Sequence, residues 1–174
     1  MPLAKHLPVG CAIRRATAAD ASHVAALLRP VDREEMEALE GRSADDVLAS
    51  SIGAAPRVLT IREEPTVLYG IVACVGLPGN AIPWAATTST IEQDDLTTVM
   101  WMSRVQVDVW QRRWPILQAV CDVRNAFRRD WLEWLGFTQR GHLDAYGAAG
   151  LPFDLYGRAR GGLMHRSEAL RIVA

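Results

Sequence analysis

Cysteine is scarce in this chain and dispersed: Cys11, Cys74 and Cys121 are an odd number set far apart, each beside apolar neighbours. That usage excludes a disulfide framework and reads as reduced, buried small hydrophobes. The four histidines (His6, His23, His142 and His165) are equally scattered. No Cys or His pair stands at the short spacings of zinc or iron sites, so no metal is expected. An excess of one charge is lacking too. With 19 Lys and Arg against 20 Asp and Glu the formal charge is -1, which gives no global field to gather nucleic acid or a membrane surface. No apolar run approaches the roughly 18 residues of a membrane span. The opening Met-Pro-Leu-Ala-Lys-His-Leu-Pro lacks the apolar stretch of a secretory signal. These absences lead to the expectation of a soluble protein in the cytoplasm of the producing cell. Ser22-His23, Ser103 and Asp108 stand at no spacing that would make a nucleophile, base and orienter, so hydrolase chemistry gets no support.

What is present suffices for one core. The 174 residues are 49% hydrophobic and 22% charged, and a domain of this size buries roughly 70% of its unfolded surface. No repeat, linker or low-complexity tract divides the chain, so a single domain over residues 1–174 is expected.

Element order carries most of the reading. Cys11 to Arg15 is a short strand, and Thr17-Ala-Ala-Asp20 is a capping pattern that starts a helix with Val24, Leu27 and Leu28 on its apolar face. Pro30 ends it. A helix over Asp32 to Glu40 is closed by Gly41, and Ser43-Ala-Asp-Asp46 caps a third. Arg57 to Arg62 and the apolar run Val67 to Val75 read as a hairpin whose second strand is buried on both faces. Ala81 to Thr87 is a further strand, in which Pro83 must lie where no ladder donor is needed. Helical spacing runs from about Thr97 to Arg113, and Pro115 stops it. A strand over Ile116 to Val123 leads to Asn125, which caps a helix with Phe127, Trp131 and Leu135 in steps of four. Two closing antiparallel strands, Arg140 to Tyr146 and Phe153 to Arg158, finish the string. The class is α/β, with a mixed sheet in which strand 81–87, helix 97–113 and strand 116–123 make a right-handed parallel crossover.

That order, with Asn125-Ala-Phe-Arg-Arg-Asp-Trp-Leu-Glu-Trp-Leu-Gly-Phe137 and the opening Ile-Arg-Arg-Ala-Thr-Ala-Ala-Asp, resembles the GNAT (Gcn5-related N-acetyltransferase) superfamily. The combination of Arg29-Pro-Val-Asp-Arg-Glu-Glu, a strand carrying Pro-Trp, a Trp-rich helix and Val-Arg-Asn is similar to GNAT-like proteins of tailed phages. Some of those are described as internal virion or assembly proteins. The resemblance implies a GNAT-like mixed β-sheet flanked by helices and acetyl-CoA as the acyl donor. The donor would be held by the strand backbone around Trp84, Ala85 and Ala86, with Asn125 and Arg128. A plain helix cap is by itself a sufficient role for Asn125.

The sequence departs from the family's enzymes at two places. Their glycine-rich phosphate loop opens the helix after the fourth strand, where close backbone approach and a helix N-terminus receive the pyrophosphate. Here Thr88 to Met100 contains no glycine, and Glu92, Asp94 and Asp95 put carboxylates at the helix start, where they would cap it and repel phosphates. The family's enzymes often carry a Tyr seven residues after the Asn as general acid, and here that position is Leu132. Tyr146 and Tyr156 on the closing strands are the replacement candidates. Glu63 and Glu64 are available carboxylates for a base, or simply a solvated turn. The reading that weighs these departures most is a virion structural or assembly component with a degenerate acetyl-CoA site. Its alternative is a working N-acyltransferase for an amine of a small molecule, a protein or a modified nucleobase.

Of six tryptophans, five fall between Trp101 and Trp134. Trp110 and Trp114 lie about 40° apart on an ideal helix, and Trp101 and Trp110 about 180° apart, so they cannot all face one sheet. Trp101, Trp110, Trp114 and Trp134 are therefore candidates for contact with another protein subunit. Arg104, Arg112, Arg113, Arg124, Arg128 and Arg129 make this region locally basic. It reads as a solvated face, a site for the CoA 3′-phosphate, or a contact to nucleic acid.

Overall fold

The structure, a computed structural model, describes residues 7–161; His6 and His165 fall outside them. The chain runs β1 (Cys11–Arg15), α1 (Ala18–Ala26), α2 (Pro30–Glu40), α3 (Ala44–Ser51), β2 (Arg57–Ile61), β3 (Glu64–Ala73), β4 (Asn80–Thr87), α4 (Gln93–Arg113), β5 (Ile116–Asp122), α5 (Ala126–Trp134), β6 (Thr138–Tyr146) and β7 (Leu151–Ala159).

Local chemistry sets the boundaries. Thr17 and Asp20 form a reciprocal capping box at the start of α1. Pro30 opens α2 rather than merely ending α1, because its missing N–H is no loss at a first helical position. Gly41 closes α2 in the left-handed conformation, φ 68°. The β2–β3 turn is tight, and its two residues, Arg62 and Glu63, both adopt positive φ (51° and 69°) although neither is glycine. β3 ends at Ala73, so Cys74 and Val75 leave the expected strand, and Val75 is fully exposed. Helix α4 starts four residues before the expected Thr97, at Gln93. Glu92 occupies the cap position there without a side-chain capping bond. Its carboxylate and that of Asp95 turn instead to Arg62 on the β2–β3 turn, at 3.0 and 2.5 Å. Of the cysteines only Cys121 is buried; Cys11 and Cys74, near a strand end and a turn, are half-buried and free.

One seven-stranded mixed sheet results, in the order β1-β2-β3-β4-β5-β7-β6. The closing hairpin folds back so that β7 pairs antiparallel with β5 over its whole length. Alternation along the strands divides the core. Val58, Leu68 and Ala86 meet α1 and α3 on one face. Leu59, Val67, Tyr69, Leu117 and Tyr156 pack on the other with α4 and α5. Among the described residues no helix is long and apolar enough to cross a membrane.

The expected parallel crossover is present but incomplete. β4 pairs with β5 only at Asn80↔Ile116 and Ala81↔Leu117, although β4 runs on to Thr87 and β5 to Asp122. Asn80 accepts from Cys74 N–H, and Thr88 N–H donates to Thr66, so even-numbered backbone groups of this stretch face β3. The odd-numbered ones, of Pro83, Ala85 and Thr87, therefore face the gap. Pro83 sits just where the strands part, at a position whose missing N–H has no ladder partner to lose.

Candidate functional site

Where β4 leaves β5, the sheet opens into a cleft of about 120 Å³ between α4 and α5. Aromatic residues are prominent in its lining: Tyr69, Trp110, Phe127, Trp131 and Phe137, with Trp84 on β4 at its edge. Spacing accounts for the helical contribution. Val99, Met102, Ser103, Gln106 and Trp110 recur at three- and four-residue steps along α4, as do Phe127, Trp131 and Leu135 along α5. Phe127 and Trp131 stack with centroids 5.6 Å apart. Trp84 is held by the absence of a side chain opposite it, since a Cβ on Gly70 would fall 2.9 Å from its ring.

A buried polar network closes one end of the cleft. Asn125 Nδ2 donates to Asp32 Oδ1 at 3.1 Å and to Glu35 Oε2 at 2.6 Å, and Asn125 Oδ1 accepts from Arg128 N–H, capping α5. Arg128 Nη1 donates to Glu35 Oε1 at 2.7 Å, and its Nη2 to the Ala85 carbonyl at 3.0 Å. The carboxylate beside it raises the Arg128 pKa against the opposing effect of burial. Arg29 pairs with Asp32 at 2.5 Å and lays its guanidinium 4.2 Å over the Phe127 ring. The network ties α2 and α5 to the free edge of β4.

The sequence-derived candidates scatter around this cleft. Ala85 turns its backbone to the gap, while the side chains of Trp84 and Ala86 face the α1–α3 core, Trp84 lying over Gly70. Asn125 is the helix cap, and both hydrogens of its amide are directed at Asp32 and Glu35. Arg128 reaches the gap but is engaged by Glu35. Tyr146 packs edge-on against Phe153 at 5.8 Å, outside the cleft. Tyr156 is wholly buried in the sheet core, its hydroxyl donating to Glu133 Oε1 at 3.4 Å, and burial pushes its phenol up to about 12. The structure brings neither tyrosine to the cleft, because β7 turns Tyr156 under α5 and β6 lies at the far edge of the sheet. Leu132 lines the cleft and has no proton to give. Glu63 stays on the β2–β3 turn and Glu64 opens β3, where it lies 3.5 Å from His23. Cys121 is no nucleophile, since burial pushes its thiol up to about 12.

The tryptophans do not make one surface. Trp110 packs into the cleft, with its ring 6.1 Å from Tyr69. Trp101 and Trp134 remain the exposed pair, at 38% and 42%. Arg104 lies beside Trp134, donating to its carbonyl at 2.6 Å, and Arg113 lies over the Trp114 ring. The basic region is likewise broken up, as Arg124 pairs with Asp122 at 2.5 Å and Arg128 with Glu35. No cluster of three or more His, Cys, Asp or Glu side chains able to hold a metal forms among the described residues.

Two groups escaped the sequence reading. Glu35 is buried, yet Asp32-Arg-Glu-Glu has the composition of any solvated acidic helix start, and nothing local marks it. Tyr69 left a usable signal. A tyrosine inside a strand buried on both faces must bring a hydroxyl that needs a partner. In the structure Tyr69 is 3% exposed and lines the cleft, and its hydroxyl has no hydrogen-bond partner among the described residues.

No protein-family model matches the chain. No curated protein matches it either. Solved structures do. A ribosomal-protein-S5-alanine acetyltransferase from Vibrio fischeri, 14% identical, superposes with a TM-score of 0.63 over 90% of this chain and 96% of its own. An acetyltransferase of the GNAT family from Bacillus anthracis, 9% identical, gives 0.67 over 86% and 94%. A putative acetyltransferase from Salmonella typhimurium, solved with acetyl-CoA and 14% identical, gives 0.63 over 90% and 98%. At these identities the likeness is one of architecture: the described residues have the GNAT acetyltransferase fold, a seven-stranded mixed sheet flanked by five α-helices.

Proposed function

We propose that this protein is an acyl-CoA-dependent N-acyltransferase whose donor enters the gap between β4 and β5. The observation that carries the reading is the parting of those strands after Ala81, which leaves the N–H groups of Ala85 and Thr87 facing a cleft rather than a ladder. An unpaired strand edge in an apolar slot suits an extended amide-bearing arm and a thioester carbonyl. Attack by the acceptor's amine nitrogen forms the C–N bond, and the C–S bond breaks to release the thiol. The acceptor is an amine of a small molecule, a protein or a modified nucleobase.

The phosphate end fits the donor poorly. The Thr88 to Glu92 connection has no glycine, and Glu92 and Asp95 stand at the α4 start with Arg62 as their counter-ion. Affinity is therefore expected to come mainly from the acyl and pantetheine end. Calorimetric titration with acetyl-CoA and free CoA tests the reading: micromolar binding supports it, and absence of heat at millimolar ligand overturns it.

The second reading, a virion or assembly component, draws on that glycine-free acidic connection and on exposed Trp101 and Trp134. The similar structures named above are acetyltransferases and lend it nothing. It becomes the better one if the titration is blank and the Trp101→Ala/Trp134→Ala variant loses a protein partner retained by the native chain.

A further inference from the structure

The cleft contains one polar group that nothing in the fold explains. Tyr69 is 3% exposed, it lines the cleft, and its hydroxyl has no hydrogen-bond partner among the described residues. A buried hydroxyl left unpaired has lost its water without gaining a bond in return, a cost a fold does not carry for packing alone. The ring itself is well placed as packing, edge-on to Trp110 with an interplanar angle of 60°, so a phenylalanine would serve the core as well. The hydroxyl is what remains to be accounted for.

Its surroundings say what it would meet. Tyr69 pairs in register with Ala85 across β3 and β4, and Ala85 is the residue whose backbone faces the gap. Pro83 offers that edge no N–H, and the Ala85 carbonyl is already taken by Arg128, so the edge has few donors beyond the Ala85 and Thr87 amides. We infer that the Tyr69 hydroxyl is a hydrogen-bond donor to the acyl carbonyl oxygen of a thioester held in this cleft. The inference rests on the acyltransfer reading above and gives its carbonyl site a second kind of donor beside the strand amides. As the amine nitrogen bonds to the carbonyl carbon, negative charge gathers on that oxygen, and a fixed donor stabilises it. The phenol keeps its proton throughout. The proton lost by the amine passes through solvent to the departing thiolate. Burial pushes the Tyr69 phenol up to about 12, so near neutral pH it is a neutral donor.

The test is Tyr69→Phe, with acetyl-CoA and free CoA titrated into native and variant protein by calorimetry, and thermal unfolding recorded for both. Only acetyl-CoA has the carbonyl. The variant should bind acetyl-CoA roughly fivefold to tenfold more weakly, as one lost hydrogen bond requires, bind CoA unchanged, and melt no lower than the native chain. An equal loss for both ligands, no loss for either, or a lower melting point overturns the inference while leaving the acyltransfer reading standing. A native protein that binds neither ligand overturns both.

Discussion

The Glu35–Asn125–Arg128 network offers the sharpest test of how the cleft is held. Glu35 is 1% exposed and accepts two charge-assisted bonds, from Arg128 at 2.7 Å and from Asn125 at 2.6 Å. Replacing it by alanine removes both acceptors, with unequal consequences. The Arg128 side chain is 30% exposed, so it can turn toward water, and its share is discounted to about 1 kcal/mol, the upper value for a surface pair. Asn125 is 2% exposed and cannot, so its orphaned N–H contributes about 1–3 kcal/mol. The sum is about 2–4 kcal/mol, or roughly 5–15 °C in melting temperature for a domain of this size. Arg128→Ala should cost about 3–5 kcal/mol, because it strands a buried carboxylate beside Asp32. The double variant should then cost less than the two single losses added together, by about 1–2 kcal/mol. Urea unfolding of the four proteins measures the cycle. Additive losses, or a Glu35→Ala loss under about 0.5 kcal/mol, would refute the network as the bolt between α2 and α5.

The β6–β7 turn and the β1–α1 junction give two further expectations. Gly147 and Gly150 both have positive φ (67° and 61°), but a Cβ at Gly147 would fall 2.8 Å from the Leu39 backbone while one at Gly150 meets nothing; Gly150→Ala should therefore destabilise by about 1 kcal/mol and Gly147→Ala by about 3 or more, read as thermal shifts. Asp20, held by Arg14 through two bonds of 2.6 Å and by Thr17, has a carboxyl kept well below the usual carboxylate range. A depressed native pKa contributes stability that is complete above the unfolded value, about 4, and is lost as pH falls toward the native one. Asp20→Asn should thus cost about 1–2 kcal/mol near neutral pH, after allowance for the half-exposed Arg14, with the gap to the native protein closing below about pH 4. A gap that widens in acid would show that the pair is not what stabilises the junction.

The elements were legible in the sequence wherever their signals are local. Thr17, Ser43 and Asn125 cap the helices they announce, and Gly41 and Gly136 take the positive φ expected after a helix. Pro83 lies at the unpaired edge that its missing N–H demanded. The errors of boundary are local as well. Helix α4 starts early because Gln93 to Leu96 carries no apolar period to betray it, and the acidic residues there answer to Arg62 on a distant turn rather than to the helix cap.

The candidate site was legible only in part. Leu132 and the glycine-free connection were visible as departures, since an absent proton donor and absent glycines are facts of sequence. Which tyrosine reaches the cleft was not, because reach depends on the face a strand presents and on what its neighbour does. Tyr146 and Tyr156 lie on strands that the sheet order places beyond β5, and Tyr69, hidden in an apolar run, is carried to the cleft wall by β3. The sequence by itself determined the string of elements and their caps, because hydrogen bonding and periodicity over a few residues decide those. Tertiary structure alone decided the parting of β4 from β5, the burial of Glu35 against Asn125 and Arg128, and the unpaired Tyr69 hydroxyl. Each of these is set by groups tens of residues apart whose meeting no local propensity encodes.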